Sequence, residues 1–197
     1  MYLLTFGWLG YYALHSTLAT AWLKTRLSSR WPRLARFYRL IYNTMALGLF
    51  VLLMGYQMQL PAPLLWGGFR PLLLAGYLLL LGGVLLGLAA LRGYNLAEFG
   101  GWGYLRGWKA PASTALQTGG LNAWVRHPLY SGLLLVLGGY VLVAPTLPRL
   151  IFAACSVLYV LVGARLEEQK LLVHFGTAYA HYRRQVPMLL PRLRRLQ

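Results

Sequence analysis

Long apolar runs alternate along this chain with short connections rich in arginine. A membrane-crossing helix needs roughly 20 mainly apolar residues, since it rises about 1.5 Å per residue through about 30 Å of hydrocarbon. Five stretches fit that pattern: Tyr2 to Leu23, Leu40 to Gln59, Leu72 to Leu91, Leu129 to Val143 and Leu150 to Arg165. Leu72 to Leu91 contains no charge. The fourth and fifth are short and separated by Ala144-Pro145-Thr146-Leu147-Pro148-Arg149, a proline-punctuated link that predicts a helical hairpin and argues against one long helix. The first stretch lacks a basic leader and a small-residue cleavage site, so it reads as a span and not as a signal peptide. The expectation is an all-α integral membrane fold of about five spans.

Two further segments depart from the span pattern. After the fifth stretch, Leu171, Leu172, Phe175, Tyr179 and Tyr182 recur at helical spacing opposite Lys170, His174, Thr177, His181 and Arg184. That is an amphipathic cytoplasmic helix, which Gly176 should break or bend and Pro187 should end. Between the third and fourth stretches, Arg92 to Arg126 is rich in glycine and aromatics. It is too long for a plain connector and too aromatic for a solvated linker, which suggests a lid. One membrane domain over residues 1–197 is expected. It has three spans in 1–91, a Gly/aromatic lid in 92–128, and the hairpin with the C-terminal segment in 129–197.

Composition supports the membrane class. Of 197 residues, 58% are hydrophobic and only 11% are charged, against about a quarter in soluble domains. Nineteen Lys and Arg face three acids, for a formal net charge of +16. So basic a chain could bind nucleic acid, but a mean hydropathy of +0.54 excludes a soluble binder of that kind. The single Cys155 excludes a disulfide scaffold. The bases instead report orientation. With the N-terminus outside, only Arg70 and Arg149 lie outside, and all other Lys and Arg lie on the cytoplasmic side. The inner membrane of a bacterium, with its anionic headgroups, is the expected setting.

The three acids, Glu98, Glu167 and Glu168, then become the residues to explain. Glu167 and Glu168 follow Arg165 at the boundary of the fifth stretch, where ionisable groups face a cavity or pair with one another. A carboxylate there suits ribose hydroxyls, an amino group or a sulfonium cation, while a structural ion pair with Arg126 or Arg165 is the plain alternative. Arg126-His127-Pro128-Leu129-Tyr130-Ser131-Gly132 opens the fourth stretch, with Pro128 where a first helical turn accepts it. This start offers N–H donors, a fixed cation and an aromatic face. Gly132 and Gly139 flatten one side of the helix for a ligand or another helix. Gly76, Gly83, Gly87 and Ala90 share a face of the third stretch and read as helix packing. His15 and Asn43 read first as interhelical hydrogen bonds. No residues have metal-ligand spacing, and the four histidines form no obvious axial pair for haem.

Arg126-His127-Pro128-x-Tyr130-x-Gly132, Glu167-Glu168, then His174-Phe175-Gly176-x-x-Tyr179-x-x-Tyr182 and Val186-Pro187 together resemble the isoprenylcysteine carboxyl methyltransferase superfamily. His15-Ser16, the Lys24 loop, Arg39 to Asn43 and Pro61-Ala62-Pro63 with Trp66 look more specifically like its thiol S-methyltransferase and NnrU-like branch, as, more loosely, does Tyr94 to Leu105. The resemblance implies an integral membrane methyltransferase using S-adenosyl-L-methionine in a cytoplasmic pocket of the last two spans and the C-terminal segment. It implies cofactor contacts from Arg126, His127, Pro128, Tyr130, Gly132, Glu167, Glu168, Tyr179 and Tyr182. Thr177 stands where many relatives carry an acid. Arg165 is the candidate for orienting an anionic nucleophile, and His127 or His15 for taking the proton of a neutral thiol. Glu98, Asn95 and His15 are candidates on the lid and substrate side. The acceptor is expected to be small and lipophilic or a lipid, reached from the membrane, with a thiol ranked before a prenylcysteine carboxylate and a phospholipid amine. An NADPH-dependent membrane reductase of related architecture and a non-catalytic NnrU-like protein are the alternatives.

Overall fold

The computed structural model describes residues 1–31, 37–66, 69–93 and 115–191. Among them are seven α-helices: α1 (Tyr2–Ala19), α2 (Ala21–Arg30), α3 (Tyr38–Gln59), α4 (Arg70–Leu91), α5 (Pro128–Val143), α6 (Leu147–Phe175) and α7 (Thr177–Gln185). A short 3-10 turn covers Gly120–Ala123, and an isolated bridge joins Leu64 to Thr146. No strand occurs among the described residues. The described residues are therefore all-α, and α3, α4 and α6 are long and apolar enough to cross a membrane. At 16 residues, α5 is apolar but shorter.

Helix boundaries differ from the hydropathy pattern in two places. The first apolar stretch breaks at Thr20, which has extended backbone and whose side-chain hydroxyl caps α2 by accepting a hydrogen bond from Leu23 N–H. The last long helix does not stop near Arg165 but runs on to Phe175. No breaker intervenes between Leu166 and His174, and Glu, Gln, Lys and Leu are all good helix formers. Glu167 and Glu168 thus lie within α6, and the expected amphipathic segment is divided at Gly176. There φ is +55°, a conformation that an L side chain resists.

The described residues form two compact units. In the first, residues 1–63, α1 packs on α2 and α3. Trp8 and Leu4 are fully buried, and Trp8 Nε1–H donates to Gln57 Oε1 at 3.1 Å. Tyr38 O–H donates to Leu18 O at 2.6 Å, and the Tyr42 hydroxyl lies 3.1 Å from His15 Nε2.

The second unit contains α4 to α7. Its most extensive helix contact joins α4 to α5 and is built on glycine. A Cβ at Gly83 would lie 2.6 Å from Gly132 O, and one at Gly139 would lie 2.6 Å from Gly76 O. Backbones approach that closely only where side chains are missing. Three residues join α5 to α6, and the two helices pack together. Arg149 Nη1 donates to Tyr140 O at 2.9 Å and its guanidinium sits over the Tyr140 ring, fixing the turn. Along α6 a buried stripe of Phe152, Ser156, Val160, Ala164 and Glu168 repeats every four residues. That register carries the second of the two adjacent acids into the core.

Candidate functional site

The site grows from the start of α5. Pro128 occupies the first helical turn, so His127 and Arg126 precede the helix in non-helical backbone. Their backbone N–H groups pair with a returning segment: Arg126 N–H donates to Pro187 O at 2.9 Å and His127 N–H to Met188 O at 3.1 Å. Ser131 Oγ adds a 2.6 Å hydrogen bond to Leu189 O. The chain beyond α7 is thereby strapped across the first turn of α5.

Arg126 is the hub. Its Nε donates to Glu168 Oε1 at 2.6 Å, and Nη2 reaches the same oxygen. Nη1 donates to Arg183 O at 3.0 Å and also to Val186 O, the end of α7. Both members of the pair have side chains only 9% exposed. Such a charged pair is tolerated because nearly every donor of the guanidinium has an acceptor. His127 Nε2 lies 3.3 Å from Glu168 Oε1, while its Nδ1 lies 3.8 Å from Glu167 Oε2. Both ring nitrogens therefore face carboxylates.

Glu167 differs sharply from its neighbour. One residue along a helix is a rotation of about 100°, which takes Glu167 off the buried stripe and leaves its side chain 46% exposed. The Tyr130 hydroxyl donates to Glu167 Oε2 at 3.1 Å, and the Tyr130 ring stacks on His127 with centroids 5.4 Å apart. An accessible carboxylate, held by a phenol and rimmed by an aromatic pair, can accept hydrogen bonds from hydroxyls or an ammonium group and can face a cation.

Tyr179 and Tyr182 sit on the buried face of α7 with their rings edge to face. Tyr182 O–H donates to Asn122 O at 2.6 Å. The Tyr179 hydroxyl is buried beside Arg126 and Glu168 without a well-formed hydrogen bond. Burial, reinforced by the Glu168 charge and opposed by Arg126, pushes Tyr179 up to about 12. Burial also raises Tyr182.

The structure thus brings together Arg126, His127, Pro128, Tyr130, Glu167, Glu168, Tyr179 and Tyr182. Gly132 faces helix α4, where a Cβ would meet Gly83 O at 2.9 Å and Gly87 N at 3.0 Å. Arg165 is exposed on α6 less than one turn before Glu168 and outside the hydrogen-bonded cluster. His15 belongs to the first unit and bonds to Tyr42. Asn95 and Glu98 lie outside the described residues. Ser131 and the carbonyls of Pro187, Met188 and Leu189 went unnoticed in the sequence. A hydroxyl within an apolar helix is a visible signal for the first, whereas backbone acceptors leave none.

No family model matches this chain, and no solved structure matches it. Curated proteins do. It is 40% identical over 85 residues to methanethiol S-methyltransferase of Pseudomonas deceptionensis, covering 43% of this chain and 32% of that protein. It is 46% identical over 68 residues to the protein of the same name from Crocosphaera subtropica, covering 34% and 26%. With that of Pseudomonas sp. strain GM41(2012) it shares 36% identity over 129 residues, covering 64% and 47%. The chain thus matches less than half the length of each of these relatives. Over those residues it is similar to methanethiol S-methyltransferases, in accord with its resemblance to the isoprenylcysteine carboxyl methyltransferase superfamily.

Proposed function

We propose that this chain acts in methyl transfer from S-adenosyl-L-methionine to a small lipophilic thiol at the cytoplasmic face of a bacterial inner membrane. In this reading residues 1–197 form one membrane domain with the N-terminus outside. It crosses five times, through α1, α3, α4, α5 and α6, with α5 and α6 as the hairpin. Support comes from the activity for which the relatives are named and from one observation at the site, the division of labour between adjacent acids. Glu168 is neutralised by Arg126 and buried, so it holds α5, α6 and α7 together, while Glu167 is left accessible.

The residues present fit a cationic, hydroxyl-bearing donor. Glu167 accepts hydrogen bonds from a ribose or an ammonium group, Tyr130 fixes that carboxylate, and the stacked His127–Tyr130 pair supplies a face for an aromatic ring. When bound, S-adenosyl-L-methionine supplies a methyl group already activated by its sulfonium sulfur. The protein therefore needs chiefly to align the acceptor and exclude water. With both nitrogens facing carboxylates, His127 is suited to holding the glutamates in register. Arg165, exposed on the same helix, is suited to an anionic acceptor, since a nearby cation favours thiolate over thiol.

The test offers membranes bearing the protein methyl-labelled S-adenosyl-L-methionine with small thiols, farnesylcysteine analogues and phosphatidylethanolamine in parallel. Label in a volatile thioether is expected, and label in a base-labile ester or lipid amine would reassign the acceptor. Transfer to none of them overturns the reading. Glu167→Gln should weaken donor binding about tenfold or more, the scale of one charged hydrogen bond, and leave thermal stability close to wild type.

A further inference from the structure

We infer that the first compact unit carries a binding site for one acyl chain of an anionic glycerophospholipid. A cavity of about 240 Å³ lies between the end of α1, α2 and the start of α3, walled by Leu18, Leu27, Trp31, Ile41 and Met45 among others. Two tyrosines also line it, and both hydroxyls are engaged. Tyr38 donates to Leu18 O, and Tyr42 bonds to His15. The surface offered to a ligand is therefore almost wholly hydrocarbon. The volume falls below the roughly 300–1,000 Å³ of sites that enclose a whole small molecule. It suits the end of a flexible chain whose remainder lies outside.

Charge selects the headgroup. Lys24 and Arg30 are exposed on α2, Lys24 one turn before the lining residues Leu27 and Ser28, and Arg30 next to Trp31. Arg39 follows Tyr38 at the start of α3. Arg26 lies over the Trp22 ring, as expected of a helix at a headgroup boundary. Cations flanking an apolar cavity complement a phosphate linked to a hydrocarbon chain, and a headgroup of net negative charge is held better than a zwitterionic one.

The experiment places the full chain in phosphatidylcholine nanodiscs with phosphatidylglycerol carrying a photoreactive group at one acyl terminus, then maps the labelled peptides. Label is expected on Leu27 to Trp31 and Tyr38 to Met45. It should be lost in Met45→Trp and, from another wall, in Ser28→Leu, each of which fills the cavity. Lys24→Gln, Arg30→Gln and Arg39→Gln together should lower it about fivefold or more without changing label from a phosphatidylcholine probe. Equal labelling by both probes, or labelling unchanged in both filled variants, overturns the proposal and leaves only bulk lipid contact. Methyl transfer is not read, so this outcome is independent of the catalytic reading.

Discussion

The two compact units associate apolar helices by different means. In the first, α1 meets α3 through large side chains and single polar ties: Trp8 to Gln57, Tyr38 to the Leu18 carbonyl, and Tyr42 to His15. In the second, α4 and α5 meet backbone to backbone at glycines, and α5, α6 and α7 are joined by one buried charged network. Both devices suit the lipid expected around them. Where lipid surrounds a helix, burying another leucine gains little, and close packing or polar bonds must hold helices together. Single hydrogen bonds do this weakly and leave space between helices, and a cavity lies in the first unit. Glycine contacts and an ion pair set positions more narrowly, as the proposed methyl-transfer site would require.

Perturbing each device tests the comparison, and the ion pair should matter most. Arg126→Ala strands buried Glu168 and frees the carbonyls of Arg183 and Val186, so the loss should be about 3–5 kcal/mol. Thermal unfolding in detergent would measure it, together with earlier proteolysis of the segment after α7. A loss no larger than that of Glu167→Gln would show that the network does not organise the unit. Gly83→Ala comes next, at roughly 1–3 kcal/mol, because its Cβ would press on Gly132 O and Val136 N. Gly87→Ala, one turn on, should be nearly neutral because its Cβ meets nothing within 4 Å. Equal tolerance at both positions would remove backbone contact as the basis of α4–α5 packing.

Alkaline pH gives a smaller effect on the second unit. Tyr179 is raised from 10.0 to about 12, so the folded state holds that proton more tightly than the unfolded chain does. Its contribution is fully present below about pH 10 and is lost as pH rises toward 12, at no more than about 1.4 kcal/mol per pH unit. Tyrosinate absorbance should show a late-titrating phenol that disappears in Tyr179→Phe. Smallest is Gln57→Met in the first unit, which removes the acceptor of Trp8 Nε1–H with little change of volume. Removing one interhelical hydrogen bond should cost about 0.6 kcal/mol, and a loss several times larger would make the two units alike.

The distribution of apolar residues was enough to mark a helical architecture in which three helices are long and apolar enough to cross a membrane, because hydropathy over roughly 20 residues is a local property. The scarcity of acids likewise marked Glu167 and Glu168, and the motif around Arg126 marked its partners. Helix ends were less legible. Thr20 breaks the first apolar run by capping, and nothing between Arg165 and Gly176 stops α6, so hydropathy misplaced both boundaries. What sequence alone could not decide is which acid is buried. Glu167 and Glu168 are the same residue type one position apart, and only the stripe through Val160 and Ala164 turns Glu168 inward to Arg126 and leaves Glu167 open. The strap from Pro187 to Leu189 was equally hidden, since it bonds through backbone carbonyls that every sequence possesses. Residue types and spacing determined which groups were available. Tertiary packing decided which became structure and which stayed accessible, because burial and pairing depend on neighbours some 40 to 60 residues away along the chain.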